Sequence, residues 1–243
     1  MRSGFIVLLC AAMAASANNT DFDSFWEYTD PVASEARFRD AFGAAQGDER
    51  LELQTQIART YSLRKDFGTA HGLLDDVEKR LGDAGARPRL RYLLERGRTF
   101  NSAGQRDKAR EHFERAWTLG RESGEEGLAV DAAHMIAITR SGTAEGVAWN
   151  EKALAIARAS KFAKAQALVP AMYNNMAWDL HDLKRYDEAL AAFQAALDEW
   201  TKRGKPRQIQ VAKWSVAQCL RSMKRDAEAA AIENELKAEG FKP

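Results

Sequence analysis

The side chains of this sequence that could carry chemistry near neutral pH are few: four histidines and two cysteines, one of the cysteines inside an N-terminal apolar run. His71, His112, His134 and His181 are so widely separated that no two share a helical turn, and none makes the i, i+4 pair that a helix offers to a metal. His181 and Asp182 are adjacent, and neighbours on a helix point about 100° apart, so neither can orient the other for proton transfer. Cys219, between Gln218 and Leu220, reads as a small buried apolar residue. There is no phosphate-cradling G-x-x-x-x-G-K-[ST] loop, no G-x-S-x-G elbow and no H-E-x-x-H zinc motif. The sequence therefore predicts no catalytic residue, no metal site and no cofactor. What remains is recognition, and recognition needs a scaffold.

That scaffold is legible as a spacing. Ala58 and Ala70, Gly97 and Ala109, Ala177 and Ala189, Ala217 and Ala229 are pairs of small residues twelve apart, and the pairs recur about every 40 residues with one unit missing between the second and third. Ala137 stands where the missing unit's first small residue belongs, and Gly146 anchors its second helix, with a connecting turn at Ser141-Gly142-Thr143 expected to be about three residues shorter than the others. Within a unit the apolar residues follow helical periodicity: Tyr173, Met176, Ala177 and Leu180, then Ala189, Phe193 and Ala196 after a turn at Leu183-Lys184-Arg185. Two amphipathic helices joined by a short turn make an antiparallel hairpin. Each small residue marks a place where helices can approach closely while a neighbouring aromatic fills the remaining gap.

The pattern of Tyr173 to Trp178 with Tyr186 to Phe193 and Ala196 resembles the tetratricopeptide repeat. Gly97, Phe100, Ala109, Phe113 and Ala116 form a second match, and Ala58, Tyr61 and Ala70 with Leu74 and Val77 a looser third. The resemblance covers about residues 50 to 240, with a period longer than the usual 34 residues of that family. It implies an all-α, right-handed superhelical solenoid of about five helix-turn-helix hairpins over 49–240, with the first helix of each hairpin lining a concave trough.

The stripe offset by one residue from the packing face would form that inner wall. In chain order it carries Thr55, Arg59 and Ser62; Leu94, Arg98 and Asn101; His134, Ile138 and Ser141; Asn174, Trp178 and His181; Trp214, Gln218 and Arg221. Amides can satisfy both polar groups of a bound peptide backbone, arginine can fork onto a carboxylate, and tryptophan supplies contact area at small entropic cost. The candidate groove residues are therefore Arg59, Arg98, Asn101, His134, Asn174, Trp178, His181, Trp214, Gln218 and Arg221. The resemblance adds that inner-wall asparagines hold peptide main chain in related long-repeat proteins, and Asn174 is the position that matches. Trp214 either faces the trough or packs under its neighbour, and Arg59 and Arg98 either face a partner or pair with nearby acids.

Residues 18–48 precede the repeats. Asp30-Pro31 is a helix start, Phe38 and Phe42 lie one turn apart on the helix that follows, and Phe25, Trp26 and Tyr28 cluster ahead of it, the pattern of an N-terminal cap or of a partner-binding arm. Before them, Arg2, the apolar run Phe5–Ala14 and Ala15-Ser16-Ala17 read as a signal peptide over 1–17 that directs export, with the periplasm as destination and no membrane anchor left after cleavage. The formal charge of the whole chain is +1, and without the leader it is balanced, which argues against a nucleic-acid partner. The expected function is a protein-protein interaction scaffold that binds a peptide or protein. The alternatives are an accessory subunit that holds a small molecule or presents substrate in an exported enzyme complex, and self-association through the repeats.

Overall fold

The computed structural model describes residues 22–242, so the leader expected over 1–17 lies outside the described residues. Twelve α-helices and one short 3-10 turn at Phe22–Phe25 make up the regular structure of these residues. Helix α1 (Pro31–Ala44) stands first, and five hairpins follow: α2 (Gly47–Leu63) with α3 (Phe67–Glu78), α4 (Ala86–Ser102) with α5 (Arg106–Ser123), α6 (Glu126–Thr139) with α7 (Ala144–Ala159), α9 (Val169–Asp182) with α10 (Tyr186–Lys202), and α11 (Pro206–Ser222) with α12 (Asp226–Ala238). Between the third and fourth hairpins sits the short α8 (Ala163–Ala167), which the periodicity did not announce.

Local chemistry sets the helix ends. Asp30 caps α1 by accepting from the backbone N–H groups of Val32 and Ala33, with Pro31 in the first turn. Asp66 caps α3 through Thr69 N–H, and Thr143 caps α7 through Gly146 N–H. Four of the five hairpin turns are the same device. A left-handed residue at Lys65, Gly104, Lys184 or Lys224 lets the next N–H reach back five residues, as in Asp66 to Tyr61, Gln105 to Phe100, Arg185 to Leu180 and Arg225 to Leu220.

The third hairpin departs from this rule, and its expected turn needs correcting. Its connection, 140–143, is four residues long where the others are three, so the turn is longer and not shorter. The small-residue spacing contracts because α6 stops two residues past Ala137, whereas α2, α4, α9 and α11 each run five past their anchors. The sharp reversal is made by Gly142 (φ +78°), whose N–H is held at 2.8 Å by Asp179 of α9, and by Gly146, where a Cβ would come within 2.5 Å of the Arg140 carbonyl oxygen.

Packing runs without a break from end to end. Ala58, Ala70, Ala109, Ala137, Ala177, Ala189, Ala217 and Ala229 have no solvent-exposed surface. Apolar clusters join the first three hairpins, the third to the fourth and the fourth to the fifth, with Trp117, Trp149 and Met176 shared between neighbouring clusters. The first helices form one layer and the second helices the other. Within the first layer α2 lies closely along α4, and α4 touches α6. A separate cluster of Phe22, Phe38, Ala45, Leu53 and Ile57 binds the N-terminal segment and α1 to α2. No helix among the described residues is long and apolar enough to cross a membrane.

Candidate functional site

The inner wall divides into two halves of different character. Over the first two hairpins it is covered by the chain's own residues 22–28. Trp26 sits edge-on to Phe38 at 4.9 Å between ring centroids, stacks on Tyr28 at 5.1 Å, and its indole N–H donates to Gln56 Oε1 at 3.3 Å. Arg59 lies over both rings, 5.1 Å from Trp26 and 5.5 Å from Tyr28, and Phe22 is buried with Arg91 of α4 at 5.7 Å from its ring.

Beneath this segment is an ion network. Glu95 Oε1 accepts from Arg98 at 2.8 Å, Arg59 at 3.4 Å and Gln56 at 3.5 Å. Arg98 also donates to Asp131 of α6 at 2.5 and 2.6 Å, and Glu52 pairs with Arg87 at 3.0 Å and Arg91 at 3.6 Å. Burial opposes the charge of both Arg98 and Asp131, but their mutual attraction prevails: Arg98 is held above the ordinary arginine value and Asp131 below the ordinary aspartate value. Glu52, by contrast, is pushed up by burial despite its two arginines. Of the first six stripe residues, Thr55, Ser62 and Leu94 are buried and do not reach the trough. The close approach of α2 and α4 turns that stripe into their mutual interface, where Thr55 Oγ1 donates to the Glu52 carbonyl.

The second half, over the third to fifth hairpins, carries no such cover. A cleft of about 320 Å³ opens between α6 and α9, lined by Ala137, Ile138, Ser141, Asn150, Asn175, Trp178 and Asp179. Trp178 is half-buried at its rim, edge-on to Phe193 at 4.9 Å and to His181 at 5.4 Å, and 6.1 Å from Trp214 on the next hairpin. Asn174, Trp214 and Gln218 are likewise half-buried, as is Asn101 at the end of α4. His181 Nε2 lies 2.8 Å from Ser222 Oγ, tying α9 to α11. His134 is buried, and burial pushes it below the ordinary histidine value, so it stands as a neutral ring behind the wall. Arg221 is turned to the flank, where Glu233 and Asp226 of α12 take it at 2.6 and 3.0 Å. A shallow depression on the outer surface of α5, lined by Glu111, Arg115 and Thr118, is built from one helix alone and gathers no convergent groups.

Three residues of the cleft, Asn150, Asn175 and Asp179, were not among the sequence candidates. Asp179 had a signal: it lies three residues after Met176 and seven after Met172, an acid on the packing stripe. Asn150 had none, because it comes from a second helix. Cys219 has no exposed surface, and burial pushes its thiol up, the reverse of an activated nucleophile. No group of three metal-ligating side chains converges among the described residues.

The tetratricopeptide repeat family matches this sequence at residues 171–202, all but the first two residues of the fourth hairpin's first helix and all of its second. No curated protein matches the chain. Among solved structures, BtubC of P. vanneervenii superposes with a TM-score of 0.69 at 16% identity, covering 93% of this chain and 95% of its own. A kinesin light chain of Podosopora anserina with nearly identical TPR-like repeats gives 0.65 at 17% identity, over 80% of this chain and 96% of its own. A Rap protein complexed with competence and sporulation factor gives 0.58 at 16% identity, over 82% and 59%. The chain thus shares the fold of tetratricopeptide-repeat solenoids, five hairpins stacked into one all-α array, and carries a sequence match to the repeat itself in the fourth.

Proposed function

We propose that this protein binds a polypeptide segment, without chemical conversion of it, along the inner wall of its last three hairpins, and that residues 1–17 direct its export to the periplasm. The observation that carries the binding reading is the contrast between the two halves of the wall. The first is occupied by the chain's own aromatic segment and an internally paired ion network. The second presents an open cleft, half-buried tryptophans at 178 and 214 and half-buried amides at Asn174, Asn175 and Gln218. Tryptophan with amides is a combination suited to main chain held in an extended conformation. That a Rap protein of similar fold was crystallised in complex with competence and sporulation factor supports the reading as analogy of fold. The buried Cys219 and the dispersed histidines support a role without catalysis.

The test compares the full chain with an Asn174→Ala, Gln218→Ala variant. Both residues are half-buried and neither fills the core, so helical circular dichroism and the melting profile should be unchanged. Cross-linking in native extract should then recover a polypeptide with the parent chain and roughly tenfold less with the variant, as a loss of about 1.4 kcal/mol implies. Equal recovery would refute the inner wall of these hairpins as the site.

A further inference from the structure

The cleft between α6 and α9 has a polar floor. Asn150 is fully buried there. Its Nδ2 donates to Asp179 Oδ2 at 3.1 Å, while its Oδ1 makes no hydrogen bond of good geometry, with the buried ring of His134 beside it. A buried acceptor without a well-placed donor costs up to the order of 1–3 kcal/mol, so this oxygen can take a further one. Asp179 is almost wholly buried as well, accepting Gly142 N–H at 2.8 Å. Burial pushes its carboxyl up, and the neighbouring Asp182 pushes in the same direction. A cation placed here would reverse both effects.

Asp179 is the ionisable residue of the cleft lining; Asp182 stands outside it, exposed, 3.8 Å from His181 Nδ1, and Arg140 is taken by Glu145 at 3.1 Å. His134, behind Asn150, is kept neutral by burial. Ala137, Ile138 and the Trp178 ring form the apolar walls above this floor. We propose that the cleft receives a basic side chain, lysine or arginine, of the bound polypeptide. Its charged head meets Asp179 and donates to Asn150 Oδ1, and its alkyl stem lies along Ile138 and Trp178. A neutral donor would answer Asn150 but leave Asp179 without a countercharge, and an anion would be repelled by it. This inference rests on the reading of the inner wall as a polypeptide site, but it can be tested apart from it with a probe one residue long.

The probes are Nα-acetyl-lysine amide and Nα-acetyl-arginine amide, with Nα-acetyl-norleucine amide as the uncharged comparator. They are titrated at constant ionic strength into the 15N-labelled full chain. The Trp178 indole signal, assigned through Trp178→Phe, and the Gly142 amide signal are followed. Both basic amides should shift these two signals saturably with dissociation constants of about millimolar order, and the norleucine amide should not. Asp179→Asn should weaken the basic amides roughly tenfold, and raising NaCl from ~0.05 to ~0.5 M should weaken them in the parent chain. Because Asp179 also holds the α6–α7 turn, Asp182→Asn provides a variant that leaves that contact intact and should weaken binding about two- to threefold. Norleucine amide binding as tightly as lysine amide, absence of both shifts, or unchanged affinity in Asp179→Asn and Asp182→Asn would each overturn the proposal. Retained amide binding together with failed polypeptide capture would overturn the inner-wall reading and leave the cleft standing.

Discussion

Gly97 offers the sharpest test of why a small residue recurs in each hairpin. A methyl group added there would lie 2.5 Å from Phe113 Cε1, 2.8 Å from Cδ1 and 2.9 Å from Cζ. Carbon atoms in good contact sit about 3.5–4.0 Å apart, so the overlap is on the order of 1 Å. Phe113 has no exposed surface and belongs to the core shared by the first three hairpins, so its ring has nowhere to go. Two effects compete in Gly97→Ala. Alanine in a helix interior gains about 1 kcal/mol over glycine, and overpacking costs about 1–3 kcal/mol. The geometry favours the second, giving a net loss of about 1–2 kcal/mol, or a fall in melting temperature of roughly 2–8 °C for a chain of this size. A double-mutant cycle isolates the cause. Phe113→Leu alone costs on the order of 1–2 kcal/mol in lost burial, but on that background Gly97→Ala should be neutral or stabilising by up to about 1 kcal/mol. Urea unfolding followed by circular dichroism measures all four chains. If Gly97→Ala stabilises the parent chain, or costs the same with and without Phe113, close approach at Gly97 is not the reason for the glycine.

Two further outcomes follow from the wall. Burial raises the Asp179 carboxyl above its unfolded value, so the group favours folding while protonated, and that contribution is lost as pH rises through its folded pKa. Urea-unfolding free energies of the parent and Asp179→Asn chains should therefore diverge in favour of the variant from about pH 4 upward and then level off, and a constant difference would refute the assignment. Trp26→Ala removes the ring packed on Phe38 and the bond to Gln56, a loss of about 2–4 kcal/mol, and in a stack of nearest-neighbour contacts the damage should stay local. Hydrogen exchange should quicken in α1 and α2 and stay unchanged in α9 to α12; uniform acceleration would show that the segment is not a local cover.

The sequence carried the architecture because its determinants are local and periodic. Small residues twelve apart, an aromatic one turn away and a short turn between them can be counted along the chain, and those alanines are buried in the structure. What was not legible depends on contacts across hairpins. Gly120 escaped notice because its reason is Ala129 of the next hairpin, 2.9 Å from where a Cβ would stand. α8 is too short to show a period. The stripe at Thr55, Ser62 and Leu94 reads as wall by helical phase, but phase alone does not say that α2 and α4 close upon each other there.

The asymmetry of the wall has a physical origin in this closure. Once α2 and α4 lie together, their facing charges are removed from solvent and must be paired, which Glu52 and Glu95 achieve with Arg87, Arg91, Arg59 and Arg98. The aromatic segment then finishes the desolvation: Arg59 is flanked by Trp26 and Tyr28, and Phe22 seals Arg91. A polypeptide entering this half would have to displace the packed rings of Trp26 and Phe22 and disturb buried ion pairs, even though Glu95 Oε2, Arg59 Nε and Arg91 Nε there lack hydrogen-bond partners. In the half beyond Asp131 the first helices stand apart, the cleft between α6 and α9 keeps a buried acceptor without a well-placed donor, and the ionisable group of its lining is Asp179. Binding there needs no displacement of the chain's own residues, whereas binding in the first half would undo contacts of Trp26, Tyr28 and Phe22 that folding has already made. The direction of that difference, and not the number of wall residues on either side, is the physical ground on which we propose the last three hairpins as the binding half.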